Sequence, residues 1–234
     1  MQSRVLTTLL FLVTLAAAPV SPPDAWPSIQ ARMDKAASEF KAMTASGTYV
    51  THTDVLDENS TETGTVVMKK VQAGEVQGLI NFLSADKRTY SFEKDRFRIY
   101  LPKLNTIQEW NLGKYAEQID QLLMIGFGTS GTALAKDYDV RVFGPETVKS
   151  LGGVKTIRLL FIPKAAEAKE HIKQLELWIR ESGDPYPLQE KISAPSGDYR
   201  LITYSDIKIN PTDLPADALQ LKTRPGVKTE YPGK

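Results

Sequence analysis

Few residues in this sequence have a type and spacing that suggest a reaction. Gly126-Phe127-Gly128-Thr129-Ser130-Gly131 is formally a GxGxxG run, and Glu146 lies 20 residues after its first glycine. In a dinucleotide site such glycines let a helix N-terminus approach a pyrophosphate, while a distal acid holds the ribose. That mechanism requires a strand before the run, a helix after it and a parallel sheet. Here a helix-like segment precedes the run and the flanking strands read antiparallel. The run therefore reads as a flexible loop between two helical segments, of the kind that suits a movable lid.

His52-Thr53-Asp54 places an imidazole and a carboxylate two apart on one strand face. The other histidine, His171, sits in a polar connection, so a zinc site would need carboxylates to complete it. The plainer reading is surface strand residues. No G-x-S-x-G marks a nucleophile, and no spacing selects a carboxylate pair from the 28 acidic residues. Asn59-Ser60-Thr61 is a sequon. Cysteine is absent, which excludes disulfides, a thiol nucleophile and a lipidated cysteine. The expectation is a chain that is not an enzyme and uses no metal or cofactor.

The elements that would position a binding site are legible by period. Val154 to Ile162, Lys173 to Arg180, Tyr186 to Ser193 and Tyr199 to Ile209 alternate as four strands. Ile157, Leu159 and Phe161 share one face, as do Leu175, Leu177 and Ile179; Leu188 and Ile192 share another. Short turns at 182–185 and 195–198 make neighbours antiparallel, and 165–173 reads as a mobile polar connection. Earlier strands are Gly47 to Val55, Thr61 to Val71, Gly78 to Leu83, Arg88 to Phe92, Phe97 to Leu101 and Ile107 to Asn111. Asp139 to Phe143 and Glu146 to Ser150 read as a hairpin, Leu214 to Leu219 as one helical turn, and 221–231 as a tail with one short strand.

Two longer segments have helical period. Ser28 to Thr44 carries Ile29, Met33, Ala36, Phe40 and Met43 on one stripe, and Gly113 to Gly126 carries Tyr115, Ile119, Leu122 and Leu123, with Phe127 beyond. Thr132 to Tyr138 suits a short third helix. Such stripes are ordinarily core, but methionine-bearing stripes also suit pockets that accept more than one apolar shape. The whole reads as mainly β with α: one curved antiparallel sheet with helices against it. The candidate cavity and lid residues are Met33, Phe40, Met43, Tyr49, Phe82, Tyr90, Phe97, Ile99, Trp110, Leu122, Met124 and Phe127.

The 234 residues, 41% hydrophobic, suit one sizeable domain, and 29 basic against 28 acidic residues give no footprint for nucleic acid. The N-terminus has Arg4, an apolar run from Val5, and Ala16-Ala17-Ala18. The run of about 14 residues is short of the roughly 20 that span a bilayer, so 1–20 reads as a signal peptide and 21–234 as one domain.

Several motifs in order resemble the LolA superfamily of periplasmic lipoprotein carriers and related lipid-binding proteins. They are Gly47-Thr48-Tyr49, Thr63-Gly64-Thr65 through Lys70, Phe97 to Pro102, and Asn105-Thr106-Ile107. Leu159 to Lys164, Leu175 to Ile179, Tyr204 to Asn210 and Arg224 to Lys228 continue the series. The resemblance implies an unclosed barrel of about eleven antiparallel strands whose mouth helices cover. It also implies an apolar cavity for the acyl chains of lipoproteins or other lipids, a periplasmic monomer, and inner-membrane donor and outer-membrane acceptor partners. Carriers of this family have a Lys/Arg-Arg-Pro step ending the second strand, whose arginine helps hold the lid. Lys69-Lys70-Val71 stands there, which makes Lys70 the lid-latch candidate. Lysine lacks arginine's planar fork, and a non-transporting lipid sensor or regulatory binding module of the same fold is the alternative.

Overall fold

The structure, a computed structural model, describes residues 25–72, 75–84, 86–113 and 125–232. The expected signal peptide and most of the helix expected over 113–126 lie outside these residues. Helix α1 (Ala25–Glu39) is followed by β1 (Ala42–Thr53), β2 (Glu58–Gln72), β3 (Glu75–Phe82), β4 (Arg88–Glu93), β5 (Arg96–Leu101) and β6 (Thr106–Asn111). Helix α2 (Gly131–Asp137) leads into β7 (Tyr138–Thr147), β8 (Lys155–Pro163) and helix α3 (Ala166–His171). Strands β9 (Gln174–Arg180), β10 (Pro187–Ser193), β11 (Tyr199–Ile209) and β12 (Lys228–Glu230) complete the chain. Among the described residues no helix is long and apolar enough to cross a membrane.

The twelve strands of the described residues form one curved, unclosed sheet in the order β12-β6-β5-β4-β3-β2-β1-β11-β10-β9-β8-β7. Hairpins build β1 to β6 and β7 to β11 as two runs of sequence neighbours, and β1 joins them by pairing antiparallel with β11. The registers keep one face continuous from strand to strand. Val142, Leu159 and Leu177 are aligned across β7 to β9. Met43 aligns with Met68, and Val66 with Ile80 and Tyr90. We call this the inner face, because α1 packs on it. Both apolar sets of the four-strand meander point there: Leu159, Phe161, Leu175, Leu177 and Ile179 form a buried cluster with Ile29 and Met33 of α1 and Leu134 of α2. Burial of each large side chain in such a cluster contributes roughly 1.5–3 kcal/mol.

Polar contacts fix where α1 lies. The Arg32 guanidinium donates to the carbonyls of Arg180, Glu181 and Gly183, clasping the turn after β9. The Asp34 carboxylate accepts from the Thr132 backbone N–H at 2.8 Å and from its hydroxyl at 2.7 Å, tying α1 to α2. Asn210, in the left-handed region at φ 50°, does the most at the other end. Its side-chain oxygen accepts from the N–H groups of Lys41 and Ala42, and its amide donates to the Glu39 carbonyl. One side chain thus caps α1, starts β1 and ends β11.

Several boundaries differ from the sequence reading. The first helix ends at Glu39, not Thr44; Phe40 is in the link and Met43 is on β1. Helical spacing continued past the true end because the inner face of β1 joins the same core as the helix stripe. Residues 139–150 are not a hairpin. Strand β7 runs through Gly144-Pro145 as a bulge and pairs along its length with β8. A Gly-Pro step resembles a turn, but here the ladder resumes at Glu146. The connection over 165–173 contains α3, which has no buried residue. Leu214 to Leu219 makes turns instead of a helical turn.

The tail from 210 to 227 passes five strands, β1 to β5, before β12 pairs with β6, and this pairing is parallel. It takes the outer face, where the Arg224 N–H donates to the Tyr100 hydroxyl and Asn105 donates to the Pro225 carbonyl. Leu79, Ser91 and Tyr100 are buried on that side.

The clasp at Asn210 is testable. Asn210→Ala loses three side-chain hydrogen bonds and puts a Cβ-bearing residue without local polar compensation at positive φ, a loss of about 3 kcal/mol. Asn210→Gly keeps the conformation accessible and loses about 1 kcal/mol less. Urea denaturation midpoints measure both; equal, near-zero losses would remove Asn210 from this role.

Candidate functional site

The inner face has two halves of different character. Over β7 to β10 it is closed by α1, α2 and the turn at Ile125. A second buried cluster continues it, with Phe40, Met43, Val66, Met68, Val76, Phe127 and Tyr186. From Tyr49 of β1 and across β3 to β6 the same face presents a row of rings, all half-buried except Phe82. Tyr49 and Phe82 have centroids 5.1 Å apart, Phe82 and Tyr90 5.1 Å, Tyr90 and Phe97 5.5 Å, and Phe97 and Trp110 5.5 Å. Cross-strand registers bring these residues into one row, since Phe92 faces Phe97 and Phe97 faces Trp110.

The expected site residues therefore divide. Met33, Phe40, Met43 and Phe127 are fully buried core. Tyr49, Phe82, Tyr90, Phe97, Ile99 and Trp110 lie together on the inner face, all but Phe82 half-buried. Leu122 and Met124 lie outside the described residues. Lys70 is on β2 at the rim, where its N–H donates to the Lys41 carbonyl. Its ammonium has no hydrogen-bond or ion-pair partner among the described residues.

Two polar features on this face were missed by motif reading. Arg88 holds Glu62 in a two-pronged pair at 2.7 and 2.8 Å, donates to the Tyr90 hydroxyl, and lies 3.9 Å from the Phe82 ring centre. Its hydrogen bonds keep the Glu62 carboxyl below the usual range. The second feature is Glu190 of β10, which is only 5% exposed. It faces Ile202 and Leu177 across the sheet. The Tyr204 hydroxyl donates to it at 3.3 Å. Burial pushes the Glu190 carboxyl up to about 7, with the Tyr204 bond opposing. Burial, followed by the Glu190 charge, pushes Tyr49 up to about 12. Tyr204 is raised for the same two reasons in the same order. A signal existed in the sequence: Glu190 alternates between Leu188 and Ile192, on their apolar side.

The glycine run is a packing device. A Cβ on Gly126, at φ 80°, would stand 2.8 Å from Pro187, and one on Gly131 would stand 2.9 Å from the Gln30 backbone. Ser130 caps the seven-residue α2 by accepting from the Ala133 N–H. Glu146 points away to the Trp178 indole N–H at 2.7 Å and Arg158 at 3.3 Å. No parallel βαβ unit surrounds the run among the described residues. His52 stacks on Tyr199 at 4.6 Å and contacts Asn59 and Asp54. No group of three or more His, Cys, Asp or Glu that could hold a metal occurs among the described residues.

No family model and no curated protein matches this chain by sequence. Solved structures do match it. The crystal structure of MucB is 17% identical, with TM-score 0.50, covering 86% of this chain and 64% of MucB. An uncharacterized conserved protein from Thermus thermophilus is 13% identical, with TM-score 0.50, covering 88% and 98%. A LolA superfamily protein from Nitrosomonas europaea is 11% identical, with TM-score 0.39, covering 83% and 97%. The chain shares its fold with MucB and with the Thermus thermophilus protein. At these identities the likeness to the solved structures is one of fold alone, and this chain spans less than two thirds of MucB.

Glu190 gives a pH test. Its folded value is about 7 against about 4.5 unfolded, so between these the folded state binds the extra proton. Stability therefore falls as pH rises through that window, by roughly 3 kcal/mol in full. Thermal melts at pH 5 and pH 8 should show a larger drop for the wild type than for Glu190→Gln. Parallel drops would mean that Glu190 is not held as a buried acid.

Proposed function

We propose that this chain is a non-enzymatic carrier that holds the acyl chains of lipoproteins or other lipids against its inner face. It works in the periplasm and passes cargo from an inner-membrane donor toward the outer membrane. The observation that carries the reading is the row of mostly half-buried rings from Tyr49 to Trp110, continuous with the apolar core under α1. Aromatic faces give an acyl chain large area with little side-chain entropy to lose. At about 0.8 kcal/mol per buried CH₂, a chain of roughly 16 carbons gains on the order of 12 kcal/mol before the costs of binding. Arg88 and Glu62 hold the rings near the rim in place without presenting an unpaired charge to the chain.

A partner-binding module without cargo is the second reading. It has its own observation: Val55, Leu56, Leu83 and Leu104 are 89%, 63%, 53% and 70% exposed. They sit in or beside the β1–β2, β3–β4 and β5–β6 turns, at one end of the sheet. Exposed apolar residues gathered in this way suit a contact surface.

The deciding experiment is direct. Mass spectrometry of the purified full chain should find bound acylated lipid, and titration with a fluorescent fatty acid should saturate. Phe97→Asp should weaken uptake at least tenfold, because a carboxylate then stands in the middle of the ring row. Leu56→Asp with Leu104→Asp should leave uptake intact. Absence of lipid by both methods would remove the carrier reading in favour of the module.

A further inference from the structure

We infer that the inner face contains a polar subsite formed by Glu190, Tyr204 and Tyr49, which takes the amide that links an acyl chain to its head. This deepens the acyl-carrier reading and rests on it.

The three residues come from neighbouring strands. In register, Glu190 lies opposite Ile202 and Ile202 opposite Tyr49, while Tyr204 lies opposite Gly47. Gly47 and Gly64 face each other across β1 and β2, so no side chain separates these groups there. The Tyr49 ring lies over both glycines: a Cβ on Gly47 would be 3.0 Å from its ring edge and 3.2 Å from its hydroxyl, and one on Gly64 would be 3.3 Å away. The phenol is therefore laid over the Gly47 position, beside Tyr204. Around the cluster the face is apolar, with Leu177 next to Glu190 and the Phe127 ring edge-on to Tyr204 at 5.3 Å.

The hydrogen bonding of this cluster is incomplete. A carboxylate has two oxygens and about four acceptor directions. Among the described residues Glu190 receives one bond, at 3.3 Å. The Tyr49 hydroxyl has no hydrogen-bond partner among the described residues. Glu190 is 5% exposed, and polar groups so buried nearly always have their partners; with the half-buried Tyr49 hydroxyl beside it, the pair presents an acceptor and a donor to something that enters. The location fits, since Tyr49 begins the row of rings along which the acyl chain would lie. An amide answers both groups: its N–H donates to Glu190 and its carbonyl accepts from Tyr49. An ester offers the carbonyl alone and adds no donor to the one that Tyr204 gives Glu190, and sites with buried polar groups discriminate strongly against ligands that leave them unpaired.

The test uses matched probes, N-methyldodecanamide and methyl dodecanoate, titrated into the full chain and followed by tryptophan fluorescence. The amide should bind about tenfold tighter. In Tyr49→Phe, which removes one oxygen, and in Glu190→Leu, checked for folding by thermal melt, the ratio of the two affinities should fall to within twofold. Equal binding in the wild type, or a ratio that survives both substitutions, overturns the subsite and leaves the carrier reading standing. Binding of neither probe overturns both.

Discussion

The structure depends on a mismatch of sizes. Twelve strands at about 4.8 Å spacing make a sheet roughly 55 Å across. Helix α1 has 15 residues, so it is about 22 Å long and about 10 Å wide. One such helix shields only part of the apolar face it packs on. Clusters around Leu177 and Met43 show where the cover is complete. Beyond them the face changes from aliphatic to aromatic, and from buried to half-buried. The apolar character continues where the cover given by the described helices thins, and that continuity makes the face a candidate for binding.

Two carboxyls on this face show how differently the same group can be accommodated. Glu62 meets the fork of Arg88, and its charge is matched hydrogen bond for hydrogen bond. Such pairing holds the ionised form and lowers its proton affinity. Among the described residues Glu190 has a phenol against it and no cation, and burial raises its proton affinity. The first arrangement fixes neighbouring rings. The second leaves a group that exchanges its proton near neutral pH between phenols and apolar side chains.

Much of this fold was legible because strand alternation is local. The inward sets Leu159-Phe161 and Leu175-Leu177-Ile179 emerged from period two without any tertiary knowledge. What alternation cannot supply is which set is covered, and by what. It could not align Phe97 with Trp110 or Glu190 with Tyr204, since those meetings depend on register across strands. Nor could local pattern reveal that Met43 leaves the helix, because helix stripe and strand face feed one core. The glycine run reads as a loop in the sequence, but what its glycines contact is not legible there. Its glycines serve close approach to Pro187 and to α1, a role with no fixed sequence signature. The parallel docking of β12 was equally hidden, because a three-residue strand reveals no partner.

The seam between β1 and β11 has a kinetic consequence. Strands β1 to β6 and β7 to β11 can each zip from short hairpins, whose loops close quickly. The seam instead brings Lys41 to Asn210, 169 positions apart. The entropy of closing so long a loop grows only slowly with length, but it must be met before the contacts that compensate for it exist. Each half, before that closure, has an unpaired strand edge at β1 or β11 and an uncovered apolar face. Closing this seam is what turns two sticky half-sheets into one molecule, and an open seam leaves both edges available for aggregation.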